Sequence, residues 1–408
     1  MRYKKVFIIL LLFFSSIAIS FLLAEYFTRR FKPQERYNFI KQRAIGIYQK
    51  GDKIPSTLQK NVKNYRFTAK TVEFSNLIST NSYGFRSGEI TQEKPKDVFR
   101  ILMLSDSMTF GWGVEDNQTF SAITQERLNS WAKQAGLTTK FEVINAGFTA
   151  GKSLDTYYVY LKEEGLKFNP DLIVINHFVY NDYAPDISSM NWEEIDAKGL
   201  PNKISSKTEA IENGYLVGIY DKKWKYEVPF LRNSHFGLLL MSFFEDSRFI
   251  KRYIFHYPEN PPKVLSSGEF AYCLSILIDK YCTPEMFALF QKGQLLFMGT
   301  RDLAVENKSQ ILVTILTSTS QIEDLMRHND VEAAIRDANP QKTLDNFFDK
   351  NNITYLDFLP YYAVPNYKDY FYSQDKHLNK SGHELAAKQL SALIAKKYFP
   401  GLSVYMGN

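Results

Sequence analysis

At 408 residues the chain is long enough to bury a large core, and its net charge of +6 is mild, with Lys and Arg spread out rather than clustered. That distribution excludes a nucleic-acid-binding stripe, and 26 Tyr and 32 Phe argue for a packed globular body. Only two cysteines occur, Cys273 and Cys282, nine residues apart. On one helix they would face opposite sides, so a disulfide between them needs a break in the helix; two buried thiols are the plainer expectation, and no Cys/His spacing typical of a metal site is present.

The amino terminus differs from everything after it. Arg2, Lys4 and Lys5 precede Val6–Ala24, 19 residues without a charge. At about 1.5 Å per residue, a helix of that length just crosses a bilayer core of about 30 Å. Two readings fit: an uncleaved signal-anchor over residues 1–30, or a cleavable signal peptide with Ala18-Ile19-Ser20 as its small-x-small site. The apolar run continues past that site to Glu25, which favours the anchor. Arg29, Arg30 and Lys32 on the far side leave only a weak charge bias between the two ends. Either reading exports the remainder. The body is therefore expected outside the cytoplasm, in a periplasm where the envelope has one, with the membrane as a partner through the first helix.

Residues 31–95 read as a polar lead-in dotted with aromatics, with a turn at Asn81–Arg86 where Gly84 supplies backbone freedom. Val98–Leu104 reads as a strand, followed at once by Ser105-Asp-Ser-Met-Thr-Phe-Gly-Trp-Gly113. Thr119–Gly136 has helical periodicity and ends on a glycine. Lys140–Ile144 is a second strand, ending in Asn145-Ala-Gly147. Leu154–Glu164 is a helix stopped by Gly165, and Asp171–Asn176 a third strand of the continuous apolar kind that a parallel sheet buries on both faces. From 184 to about 300 the rhythm breaks, which reads as a large insertion or lid. Its apolar run Phe236–Phe244 is read as covering core or, second, as facing a membrane. Strands at Ile311–Leu316 and Ile353–Phe358 follow, then an amphipathic helix over Ser381–Lys397 with Asn379 as its cap. Alternating strands and helices predict an α/β fold over 96–400, a doubly wound parallel sheet.

The first three strands each end in a small or polar loop: Ser107 after the first, Gly147 after the second, Asn181 after the third. In a parallel sheet those ends lie side by side, where open α/β proteins place their chemistry. Far along the chain stands Asp375-Lys-His377, and serine, imidazole and carboxylate are the parts of an activated nucleophile. The amides of Ser107 and Gly147 with the side chain of Asn181 could converge on one oxygen, as an oxyanion hole requires. Singly, each has a duller reading. His177 at a strand end is a core residue, His383 packs or caps the last helix, Asp182 braces the third loop, and Asp106 shapes the turn.

In these blocks the chain resembles the SGNH, or GDSL-type, hydrolase superfamily. Ser105-Asp-Ser107 with Thr109-Phe-Gly111 is similar to the first block, Gly147 to the second, Asn181-Asp182 to the end of the third, and Asp375-x-His377 to the fourth. Ser105 and Val179 stand where that family usually has glycine. The lead-in resembles a membrane-anchored subgroup. The resemblance implies a flavodoxin-like three-layer fold with no cofactor or metal. It implies Ser107 as nucleophile, His377 as base, Asp375 as its orienting carboxylate, and Ser107, Gly147 and Asn181 around the oxyanion. The implied activity is an exported esterase removing an O-acyl group, acetyl above all, from a glycan or lipid. Two alternatives use the same fold: an O-acyltransferase that passes the acyl group to a polysaccharide hydroxyl, and an inactive binding protein.

Overall fold

The computed structural model describes residues 2–34, 45–69, 73–149, 152–182, 190–218, 231–245, 247–253, 256 and 283–405. Cys273 and Cys282 lie outside them. The chain forms two compact units, residues 1–46 with 215–261, and residues 47–214 with 262–408.

The first unit opens with helix α1 (Arg2–Phe31), whose apolar stretch has a mean hydropathy of 2.9 and is fully exposed, long and apolar enough to cross a membrane.

The second unit begins with two short antiparallel ladders in the lead-in. β1 (Tyr48–Lys50) pairs with β2 (Ser56–Leu58), and β3 (Tyr65–Thr68) with β4 (Ser75–Ile78). Strands of three or four residues give too short a window for a period of two to show, so the lead-in reads as irregular in sequence.

Its centre is one parallel sheet. β5 (Val98–Ser105) leads through a single turn, α2 (Ser107–Phe110), to α3 (Phe120–Gln134) and β6 (Lys140–Gly147). α4 (Leu154–Glu163) and β7 (Leu172–Phe178) follow. Next come a hairpin of β8 (Met190–Ile195) with β9 (Pro201–Ser206), then β10 (Glu209–Glu212). On β8 only Met190 is buried, and β9 buries one residue in three, so neither shows the alternation that marks a strand. The other unit continues with β11 (Tyr215–Gly218), α5 (His235–Glu245) and α6 (Arg248–Tyr253). The body resumes with α7 (Pro284–Glu306), β12 (Gln310–Leu316), α8 (Thr319–Leu325), α9 (Val331–Arg336), α10 (Gln341–Lys350), β13 (Thr354–Asp357), α11 (Leu359–Tyr362) and α12 (Lys380–Tyr398), the last capped by Asn379 as its sequence indicates.

Spatially the five sheet strands run β13-β12-β7-β5-β6, every pair parallel. Renumbered within the sheet that order is 2-1-3-4-5, the flavodoxin-like doubly wound arrangement, with its switch point beside the end of β5. Alternate residues feed two cores. Leu102, Leu104, Ile173, Ile175, Val313 and Ile315 pack under α4, α7 and α10. Ile101, Met103, Val143, Val174 and Leu312 pack under α3 and α12. Burial on both faces is why these strands read as unbroken apolar runs.

Candidate active site

The end of β5 is held by a turn whose conformation its sequence dictates. Asp106 caps α2, its carboxylate accepting the Met108 amide at 2.9 Å. Gly111 closes the turn in the left-handed region at φ 86°, donating its amide to the Ser107 carbonyl, a conformation glycine adopts without penalty. Ser107 is thus the first residue of a one-turn helix pointing out of the sheet edge, and its own amide finds no acceptor among the described residues.

Beneath this turn lies a buried polar network. Asn145 Nδ2 donates to the Thr109 carbonyl at 2.8 Å and to Ser121 Oγ at 2.9 Å. Asn176 Nδ2 donates to Thr109 Oγ1 at 2.8 Å and Asn176 Oδ1 accepts from Thr314 at 2.8 Å. Satisfied networks of this kind fix one arrangement in the low-dielectric interior. From outside, Arg86 completes the clamp. Its fully buried guanidinium donates to the carbonyls of Phe110 (3.0 Å), Gly111 (2.7 Å), Val114 (2.6 Å) and Leu77 (3.3 Å) and to Asp116 Oδ1 (2.7 Å). Burial pulls its pKa down, and Asp116 opposes that.

His377 arrives on the loop before α12. Its Nε2 lies 2.8 Å from Ser107 Oγ, and its Nδ1 lies 2.5 Å from Asp375 Oδ1. Two residues apart, Asp375 and His377 meet because Lys376 between them takes the left-handed conformation at φ 71°. The loop is pinned by Lys376 N to the Tyr372 carbonyl at 3.2 Å and Tyr372 N to the His377 carbonyl at 2.9 Å. Such strain in a non-glycine residue gathers at functional sites. The other oxygen, Asp375 Oδ2, accepts from Trp112 Nε1 at 3.4 Å. Glu73, beside the β3–β4 hairpin, accepts from Ser373 Oγ (2.7 Å) and from the amides of Gln374 (2.9 Å) and Asp375 (2.7 Å). Burial works against its charge, but these bonds hold the Glu73 carboxyl below the usual range.

Ser107, His377 and Asp375 are therefore brought into one hydrogen-bonded chain. Gly147 and Asn181 sit at the neighbouring strand ends. Gly147 pairs with Ser105 across the sheet, and its amide donates to Asn145 Oδ1 at 3.0 Å. It meets a further need that its motif does not announce: a Cβ there would fall 2.1 Å from the Phe110 amide nitrogen and 2.6 Å from Phe110 Cα. We expect Gly147→Ala to cost about 1–3 kcal/mol by overpacking. By displacing α2 it should also lower kcat by about 10²-fold, checked by urea denaturation alongside ester turnover. The Asn181 amide donates to the Phe178 carbonyl at 3.3 Å, and its side chain faces the buried Asp106 carboxyl, whose pKa burial raises.

The remaining residues take their duller readings. Asp182 accepts the Phe178 amide at 2.8 Å and the Tyr157 hydroxyl at 3.0 Å, bracing the third loop. His383 is buried, stacks on Phe120 and accepts the Phe120 amide on Nδ1 at 3.2 Å. His177 is buried edge-on to Phe297. Ser105 and Val179 are buried, and neither adopts a positive φ, so the backbone does not require glycine at either.

Burial lowers both His177 and His383 to about 3, with Arg86 and His377 adding to the effect at His383. Because the unfolded chain takes up these protons near pH 6.5 and the folded chain does not, the contribution of the two histidines to stability is full above that pH. It then falls with acidification down to about pH 3, by about 1.4 kcal/mol per pH unit for each histidine. Asp357, raised to about 7 by burial, and Asp345, raised to about 6, act in the opposite sense over part of this window. The test is therefore a difference: on acidification from pH 6.5, His383→Gln should lose less stability than the wild type in chemical denaturation, by about 1.4 kcal/mol per pH unit.

No protein-family model and no curated protein matches the chain. Among solved structures it is similar to a GDSL-like lipase from Bacteroides thetaiotaomicron VPI-5482, at 11% identity over 75% of this chain and 92% of that one, with a TM-score of 0.31. It is also similar to a catalytic mutant of an acetylxylan esterase from Geobacillus stearothermophilus, at 11% identity over 74% and 94% of the two chains, with a TM-score of 0.33. An α/β hydrolase from the metagenome of Lake Arreo, Spain, shares 9% identity over 74% and 96%, with a TM-score of 0.35. At these values the likeness assigns no activity.

Arg86, Trp112 and Glu73 were not identifiable as site residues from sequence. Arg86 stands in the sequence only as the end of a turn, and Glu73 meets a loop 300 residues away along the chain.

Proposed function

We propose that the chain is an exported serine esterase of the SGNH, or GDSL, type that cleaves an O-acyl ester, with acetyl on a glycan or lipid as the substrate class. The observation that carries this reading is the 2.8 Å contact between Ser107 Oγ and His377 Nε2, with Asp375 on the opposite nitrogen. Ser107 is nearly buried while the His377 side chain keeps about a quarter of its surface exposed, so an ester can reach the pair. Ser107 Oγ attacks the acyl carbon as its proton passes to His377 Nε2, and Asp375 stabilises the imidazolium through Nδ1–H. The departing alkoxide takes that proton, and a water activated by the same imidazole releases the acid. The Ser107 amide and the Asn181 side-chain amide are the donors for the oxyanion, and the Gly147 amide joins them by sharing the hydrogen it gives to Asn145. The exposed, apolar α1 supports an anchored form, and the placement of the body outside the cytoplasm rests on reading that segment as an export signal.

The test supplies an acetylated aryl ester with and without an unmodified polysaccharide and follows acetate. Release of free acetate at a rate indifferent to polysaccharide is the expected result. Acetyl recovered on the polysaccharide in place of acetate would overturn hydrolysis in favour of transfer.

A further inference from the structure

We propose that α5 and α6 form a second membrane element, seated in the headgroup and upper acyl region of the bilayer that α1 enters; this rests on reading α1 as an anchor. α5 carries His235, Ser242 and Glu245 along one strip and is otherwise apolar. Gly237, Leu238 and Met241 are buried, while Leu240, Phe243 and Phe244 form an adjoining face that is exposed, Phe243 to 73%. A helix facing water carries polar residues on its outer side, and an exposed face made of Leu and Phe belongs against a core or in lipid.

Its place beside α1 says which. The uncharged run of α1 ends at Glu25, and that carboxylate receives the start of α5. It accepts Ser234 Oγ at 2.8 Å, the His235 amide at 3.1 Å and the Phe236 amide at 2.8 Å. One turn earlier, inside the apolar run, Phe21 meets the Phe236 ring at 5.5 Å. α5 thus begins at the level where the apolar stretch of α1 stops. Its 11 residues span about 16 Å, half of what a crossing needs, so it lies in the boundary rather than traversing it. α6 supplies the headgroup side. Phe249, 66% exposed, and Tyr253 pack against each other at 4.9 Å, flanked by exposed Arg248 and Arg252. Aromatic rings beside basic side chains are what an anionic lipid surface selects.

The test places an environment-sensitive fluorophore on single cysteines in the full chain, with Cys273 and Cys282 changed to serine, reconstituted in phosphatidylcholine–phosphatidylglycerol vesicles. Labels go on Phe243→Cys, Phe249→Cys and, as the comparator, Leu23→Cys in α1. Spin-labelled lipid should quench the labels at 243 and 249 as strongly as the one at 23, and aqueous iodide should reach none of them fully. If 23 is quenched by lipid while 243 and 249 respond only to iodide, the second element is wrong and the anchor stands. If 23 also responds only to iodide, both readings are overturned.

Discussion

Ser107→Ala is expected to lower kcat on an acyl ester by on the order of 10⁶-fold while leaving the thermal midpoint unchanged. The size follows from how nucleophile and base act as a unit: removing either removes the covalent route, and removing both costs scarcely more. What survives is the contribution of the oxyanion donors and of substrate binding, so activity above buffer should remain measurable. His377→Ala should fall to a similar level, and the double variant should be no worse than either single one. Steady-state kinetics on the three variants checks this directly. Additive losses would mean that the serine and imidazole are not coupled through the 2.8 Å contact.

Arg86→Met should be the most damaging single change to stability outside the sheet, at about 3–5 kcal/mol in urea denaturation. The guanidinium is fully buried and donates to four main-chain carbonyls and to Asp116. Methionine fills the volume but leaves the carbonyls of Leu77, Phe110, Gly111 and Val114 without their donor and Asp116 without its positive partner. Arg86→Lys should recover little, because an ammonium group has neither the planar fork nor the reach to serve five acceptors. Since Phe110 and Gly111 belong to the turn that carries Ser107, activity should fall before the protein unfolds. A loss below about 1 kcal/mol would mean that water replaces the guanidinium and that Arg86 does not hold the turn.

The parts of this molecule that sequence discloses are those whose physics is local or repetitive. Ile101–Leu104 and Leu172–Ile175 are buried on both faces and so appear as unbroken apolar runs, and Asn379 caps α12 through its own side chain. Ser107, Asp375 and His377 are legible because few residue types perform their chemistry. What sequence conceals is long-range. Glu73 gains meaning only from the backbone amides at 374 and 375, and Trp112 only from Asp375. Gly147 reads as an oxyanion residue, yet its amide is engaged by Asn145 and its missing side chain is what lets Phe110 approach. The outward apolar face of α5 shows in sequence as an apolar run alone; the contact of Glu25 with its amino end gives that run a setting.

The most direct test of the central claim is intact mass after treating the full-length protein with a fluorophosphonate, which reacts only with an activated serine. One adduct on the wild type, absent from a folded Ser107→Ala, is the predicted result. Labelling that persists in Ser107→Ala, or no labelling of folded wild type, would contradict an activated nucleophile at Ser107.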